Sequence, residues 1–505
     1  MIPRNIYFII AGALILRVLF FFFMYAHIGE AALFTSDSRG FHQTAINVLN
    51  GNGFSLKFEP PFTPEAHFTP LYPLLIAGSL YFSNSVLPLI FIQIILSSLM
   101  PLLVWRISGF LSESGRIRIY AAALIAFEPT SIIWSSLLLT EIIAIFFLLL
   151  AVFYFLKLVE NPRWQDAARA GLFLGLSTLT RPHAQFLFML AFLYLIFITI
   201  FLWGKRMLAG SRYVILPVMG GASGSVPAEG GTLAPTLSES AAGADERAGK
   251  ITYRGNPAIP FIFAAVFLLV LSPWMLRNYQ TFGTFNIATT GLRNLYSSLG
   301  SSVLTLNTGQ PFHVVKTRLH QEFMDKYHVS ERDFKDNPAY GGILAQEGFA
   351  ILREHPKETI QAASISLFAF LTQDLYTDYL QRFNLIPRFN IDFSPSITLL
   401  KEGPLKLAEL VKERLGWYAL IPISGRIFWI AVNVAWISGL FIAFRRGGME
   451  RKIALILAVI ILSYALTSIV GGFGDQGRFR YPASAFMFLL ASYGCANVTR
   501  RQNTQ

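Results

Sequence analysis

Over most of the chain, apolar residues gather into runs of bilayer length separated by short polar turns. Residues 5–28 (NIYFIIAGALILRVLFFFFMYAHI) form the first run, long enough to cross about 30 Å of hydrocarbon. No small-residue cleavage site follows it, so it reads as a retained span and not as a signal. Further runs lie at 85–105, 119–135, 137–157, 168–181, 184–203, 257–275, 427–444, 453–471 and 482–498. The pattern predicts an all-α polytopic membrane bundle of about ten transmembrane helices, within a range of nine to thirteen. Residues 359–373 are apolar but short and read as an interfacial or re-entrant helix, because a full crossing would reverse every later loop.

A different periodicity marks the first polar stretch. In SDSRGFHQTAINVLNGNGF, residues Phe41, Ala45, Val48 and Leu49 recur at helical spacing, which predicts a short amphipathic helix on the membrane surface, stopped by Gly51.

Composition supports the membrane assignment. The 505 residues are 54% hydrophobic and 14% charged, against about 25% charged in a soluble domain. A net charge of +12 would suggest nucleic acid in a soluble protein, but its distribution argues for topology instead. With the N-terminus inside, nineteen Lys and Arg fall in inner loops and five in short outer loops, as the positive-inside rule requires. Both termini are then cytoplasmic, and no nucleic-acid partner is expected. The chain divides into a transmembrane core at 1–203 with its first outer loop at 29–70, a cytoplasmic loop at 204–256, a span at 257–275, a mainly helical extracytoplasmic segment at 276–424, and C-terminal spans in 425–505. Within the cytoplasmic loop, 220–249 are so rich in Gly, Ala and Ser that a disordered insertion is expected. Cys495 is the single cysteine, so neither a disulfide nor a cysteine metal cluster forms within the chain.

Candidate chemistry sits at the outer ends of the spans. Asp37 opens the amphipathic helix, either as a plain N-cap or as a general base for an acceptor hydroxyl. Glu128 and Glu141 flank an outer turn, and Glu141 falls about 9 Å into the bilayer, where a charge marks a functional site or a structural pair with Arg17 or Arg181. Arg181, Arg277, Arg478 and Arg480 lie on the side that should be poor in arginine. Each reads alone as an interfacial anchor, and together as a phosphate pocket. His67, Tyr72, Asn278 and Tyr481 are candidate substrate contacts. No HExxH spacing, Walker A loop, G-x-G-x-x-G turn or G-x-S-x-G elbow is present, so no metal site or nucleotide cofactor is indicated.

Taken in order, SDSRGFHQTAINVLNGNGFS, TPLYPLLIAG, EPTSIIWSSLLLTE, GLSTLTRPHA, SPWMLRNYQTFGTFNIATTGLRNLY and GRFRYP resemble the C-type glycosyltransferase superfamily. The resemblance is to the bacterial relatives of protein O-mannosyltransferases and of the aminoarabinose transferase. Where that family often has two adjacent acids, Asp37 is followed by Ser38; where it often has Arg before the Pro-x-Tyr-Pro turn, His67 stands nearby. The resemblance implies a polyprenyl-phosphate sugar as donor, a lipid, glycan or protein as acceptor, and no cofactor. Topology agrees, because nucleotide sugars are cytosolic and a transferase on the outer face of the plasma membrane needs a donor that has crossed. In the implied reaction Asp37 is the base and the arginines neutralise the departing phosphate. Two alternatives stay open: a secondary transporter or flippase using Arg17 and Glu141 as a coupling pair, and an oligosaccharide ligase or polymerase on the same fold.

Overall fold

A computed structural model of the chain describes residues 2–210, 257–388, 398–399, 402–474 and 476–502. The expected disordered insertion at 220–249 lies outside the described residues. Among those described, every regular element is helical. The first half comprises α1 (Arg4–Ile28), α2 (Ser36–Leu49), α3 (Leu71–Ser83), α4 (Leu87–Leu111), α5 (Gly115–Phe127), α6 (Pro129–Ser135), α7 (Glu141–Glu160), α8 (Trp164–Thr180) and α9 (Ala184–Gly210). After α10 (Ala258–Phe282), the outer segment contributes α11 (Phe312–Tyr327), α12 (Gly341–Glu354), α13 (Pro356–Thr372), α14 (Tyr376–Arg382) and α15 (Pro404–Leu415). The chain closes with α16 (Leu420–Arg446), α17 (Gly448–Val470) and α18 (Gln476–Gln502).

Seven helices among the described residues are long and apolar enough to cross a membrane, or eight if the bent pair α5–α6 is one span. The count is somewhat below ten for physical reasons. Pro129 has no N–H to continue the helix, and α5 and α6 meet at a 51° bend. Helix α8 has only 17 residues, and α18 contains Pro482 and polar ends that dilute its apolar middle. The 359–373 segment appears as α13, also 17 residues.

Backbone groups in lipid must be satisfied internally, and the break shows how. Arg17, fully buried on α1, donates to the Ala126 carbonyl at 2.8 Å, to Ser131 Oγ at 2.8 Å and to Ser97 Oγ at 2.8 Å. It thereby ties α1 to α4 and to both sides of the bend. Glu128 sits at the break and caps α6, accepting from the Ser131 amide at 2.6 Å.

Small residues set the tightest crossings, as is usual between helices in lipid. A Cβ on Gly439 of α16 would run into the Leu490 carbonyl of α18, and one on Gly494 into the Ala435 carbonyl. Helix α8 approaches α10 in the same manner at Gly171. Between α9 and α10 the contact is aromatic, with Phe188 stacked on Phe267 at 4.0 Å.

Outside the bundle, α2 forms where its periodicity places it and ends as expected, with Gly51 at φ +76°. Its start differs. Thr35 is the N-cap, in a capping box with Ser38, so Asp37 lies in the first turn with its carboxylate released from capping. The buried face also shifts, running through Phe41, Thr44, Ala45 and Asn47, while Leu49 is exposed. Asn47 explains the shift, since its amide donates to the carbonyls of Ser55 and Lys57 at 2.8 Å each and folds the following loop onto the helix.

Candidate functional site

Four elements meet at one charged cluster. Arg478, in the first turn of α18, binds Asp37 Oδ2 through Nη1 at 2.6 Å and Glu141 Oε1 through Nε at 2.5 Å. Arg181 pairs with the same Glu141 oxygen and reaches Thr140 Oγ1 at 3.2 Å. The local backbone favours each charge. Arg181 is the C-cap of α8 in extended conformation, held there by Pro182 at the negative end of the helix, and Glu141 opens α7 at its positive end. Glu141 is completely buried, which two arginines make tolerable. Asp37 keeps 39% of its side chain exposed, so a substrate can reach it.

The remaining predicted residues divide by position. Arg277 donates to the Glu65 carbonyl at 2.8 Å and to Asn278 Oδ1 at 2.9 Å, with its guanidinium 4.7 Å from the Trp274 ring. Buried Asn278 in turn donates to the Asn286 carbonyl at 2.8 Å. Both residues therefore fasten the outer loops. Arg480 is buried, donates to the carbonyls of Phe370 at 2.8 Å and Gln373 at 2.5 Å, and stacks 3.7 Å from the Trp429 ring, which closes the end of α13. Tyr481 is buried with its ring 4.7 Å from Trp134, and Tyr72 is buried with its hydroxyl 2.7 Å from Gln93 Oε1. Of the four arginines read as one pocket, the structure thus brings two together and gives the other two to packing.

His67 stands between the cluster and the outer segment, its Nδ1 3.4 Å from Arg293 Nη2. Burial and the Arg293 charge push its pKa down to about 4, against an opposing pull from Asp37, so it is neutral at pH 7. Beside it, Glu65 is buried with one oxygen accepting the amides of His67 and Phe68 and the other without a partner among the described residues. Burial pushes this carboxyl up to about 8. The folded state then holds a proton that the unfolded state releases near pH 4.5, so stability falls as pH rises from there to about 8. Glu65→Gln is expected to leave thermal unfolding in detergent nearly unchanged at pH 5 and to stabilise the protein at pH 9, by an amount on the order of 5 kcal/mol. A difference independent of pH would show that Glu65 is ionised in the fold.

Two residues that the sequence does not single out complete the surroundings. Arg382, on α14, and Arg388 line a cavity of about 510 Å³ together with Thr35, Trp134, Tyr379 and Arg478. They sit in the 276–424 segment with thirteen other Lys and Arg and many acidic residues, where spacing carries no signal. A second feature lies in the lipid zone. Two apolar grooves of about 400 and 550 Å³ share Leu190 of α9 and Val459 of α17. Together they run from Lys452 to His183 and Asn294, two residues from Arg181.

Residues 66–219 match the family described as dolichyl-phosphate-mannose-protein mannosyltransferase. No match is found among curated proteins. Solved structures similar to the chain include the crystal structure of the Archaeoglobus fulgidus oligosaccharyltransferase in its apo form, at 15% identity and a TM-score of 0.44, covering 98% of this chain and 51% of that one. The archaeal oligosaccharyltransferase AglB from Archaeoglobus fulgidus, in complex with an inhibitory peptide and a dolichol-phosphate, matches at 15% identity and a TM-score of 0.44, covering 98% and 50%. The chain thus spans about half the length of these structures. From His67 and the TPLYP turn through Glu128, Glu141 and Arg181, the matched stretch bears out the resemblance of this chain to the C-type membrane glycosyltransferases.

Proposed function

We propose that the protein transfers a sugar from a polyprenyl-phosphate donor to an acceptor on the extracytoplasmic face of the plasma membrane, with Asp37 as general base. The observation that carries this reading is the placement of a partly exposed carboxylate, held by Arg478, near the end of two adjoining apolar grooves. A polyprenyl tail fits a groove of that character, and its phosphate arrives next to Arg181 and Arg478. In the step itself the acceptor oxygen forms a bond to the anomeric carbon from the face opposite the phosphate. The bond from that carbon to the phosphate oxygen breaks, its electron pair leaves on the polyprenyl phosphate, and the acceptor proton passes to Asp37. Arginine suits the developing phosphate charge because its planar donors match phosphate oxygens two at a time.

A transporter reading needs Arg17 and Glu141 as a coupled pair. Instead Arg17 ends on hydroxyls and carbonyls, while Glu141 is taken by Arg181 and Arg478. The test is purified protein in lipid supplied with a radiolabelled polyprenyl-phosphate sugar and a membrane extract as acceptor source. Release of free polyprenyl phosphate is the expected result; movement of intact donor across the bilayer would overturn the proposal.

A further inference from the structure

The cavity beside Asp37 carries more positive charge than the donor phosphate requires. Its lining sets Arg382, Arg388 and Arg478 against one carboxylate, Asp378. Arg478 is already matched by Asp37 and Glu141. Arg382 donates to the Phe34 carbonyl, and neither it nor Arg388 forms an ion pair among the described residues. Burial lowers the Arg382 pKa, with Tyr379 opposing and the neighbouring Arg39 and Arg388 charges adding to the shift. Both side chains are exposed, and like charges crowded with no ion-pair partner among the described residues favour an anionic ligand.

This charge and the donor's phosphate approach the cluster from different sides. The apolar groove reaches the cluster at His183 and Asn294, on the Arg181 side of Glu141, whereas Arg382 and Arg388 share the cavity on the Arg478 side. Trp134 and Tyr379, with ring centroids 6.1 Å apart, add aromatic surface to this cavity. At Asp378 and Gln381 it adjoins a second groove of about 460 Å³ beneath α15, which leaves room for the rest of a ligand. The geometry points to a second anion subsite, in which Arg382 and Arg388 receive a carboxylate or phosphate group carried by the transferred sugar or by the acceptor. The assignment of that group to a substrate rests on the transferase reading above.

The test uses the full-length protein in lipid nanodiscs, first saturated with polyprenyl phosphate to fill the donor groove. Isothermal titration with glucuronate and with inorganic phosphate should then show binding that glucose does not. Arg382→Gln and Arg388→Gln should each weaken it about tenfold or more, the scale of a lost charged hydrogen bond, while Arg318→Gln, on the exposed face of α11, leaves it intact. Equal binding by the two variants and wild type, or displacement of the anion by polyprenyl phosphate, overturns the subsite. Turnover then identifies the source. If the sugar carries the anion, the variants lose cleavage of a polyprenyl-phosphate hexuronate more than of the neutral hexose. If the acceptor carries it, donor cleavage is retained and transfer to anionic acceptors falls. A wild type that cleaves neither donor sinks the transferase reading, and the titration still decides the subsite.

Discussion

Asp37→Asn is expected to lower the transfer rate by a factor of about 10² or more, the usual scale for removing a general base, while the protein accumulates in the membrane as wild type. The asparagine keeps the shape of the side chain and removes only its charge and basicity. Its helix does not depend on the carboxylate, because Thr35 and Ser38 cap α2 between themselves. Arg478 keeps a partner in Glu141, so no buried charge is stranded. Initial rates of polyprenyl phosphate release, normalised to protein in the membrane, provide the measurement. Turnover near the wild-type rate would remove Asp37 from the chemistry.

The opposite balance of effects is expected at Glu141. This carboxylate lies wholly inside the protein and is shared by two arginines, so Glu141→Gln leaves Arg181 without its counter-ion while Arg478 keeps Asp37. Removing one partner from a buried ion pair costs about 3–5 kcal/mol. The variant should unfold at a markedly lower temperature and lose activity as Arg478 and Asp37 shift. Adding Arg181→Gln removes the surplus charge and should recover most of the stability but not the activity, since in the proposed reaction Arg181 also meets the donor phosphate. If the double variant is as unstable as the single one, the cost lies in packing and not in charge.

How far the site was legible in the sequence depended on helix geometry. Asp37 is visible as the acid opening an amphipathic helix, Glu141 as a charge inside an apolar run, and Arg181 and Arg478 as arginines on the side that should be poor in them, and these four meet. GRFRYP, however, contains two arginines two positions apart. At about 100° per residue they point about 200° from each other on a helix, so once this stretch became the first turn of α18 only one could face Asp37. Arg478 does, and Arg480 turns to α13 and Trp429. Arg277 likewise looked like a phosphate ligand but serves the loops, because the carbonyls of Glu65 and Phe54 come within its reach only after the first outer loop folds back over α10. Bilayer-length runs revealed the bundle, yet they concealed the break at Glu128: one carboxylate and one proline barely disturb the hydropathy of a long apolar stretch.

That break also bears on how the protein is made. As α1 leaves the ribosome, the only partner Arg17 has in its own helix is the Ala13 carbonyl, and a charge at that depth is costly to insert. The groups that satisfy it, the Ala126 carbonyl and the hydroxyls of Ser97 and Ser131, are synthesised roughly eighty to one hundred and fifteen residues later. Helix α5–α6, for its part, presents an unfinished hydrogen-bond ladder until Arg17 reaches it. Each segment is costly to insert alone and the two satisfy each other, so α1 is expected to stay near the translocon until α6 has emerged.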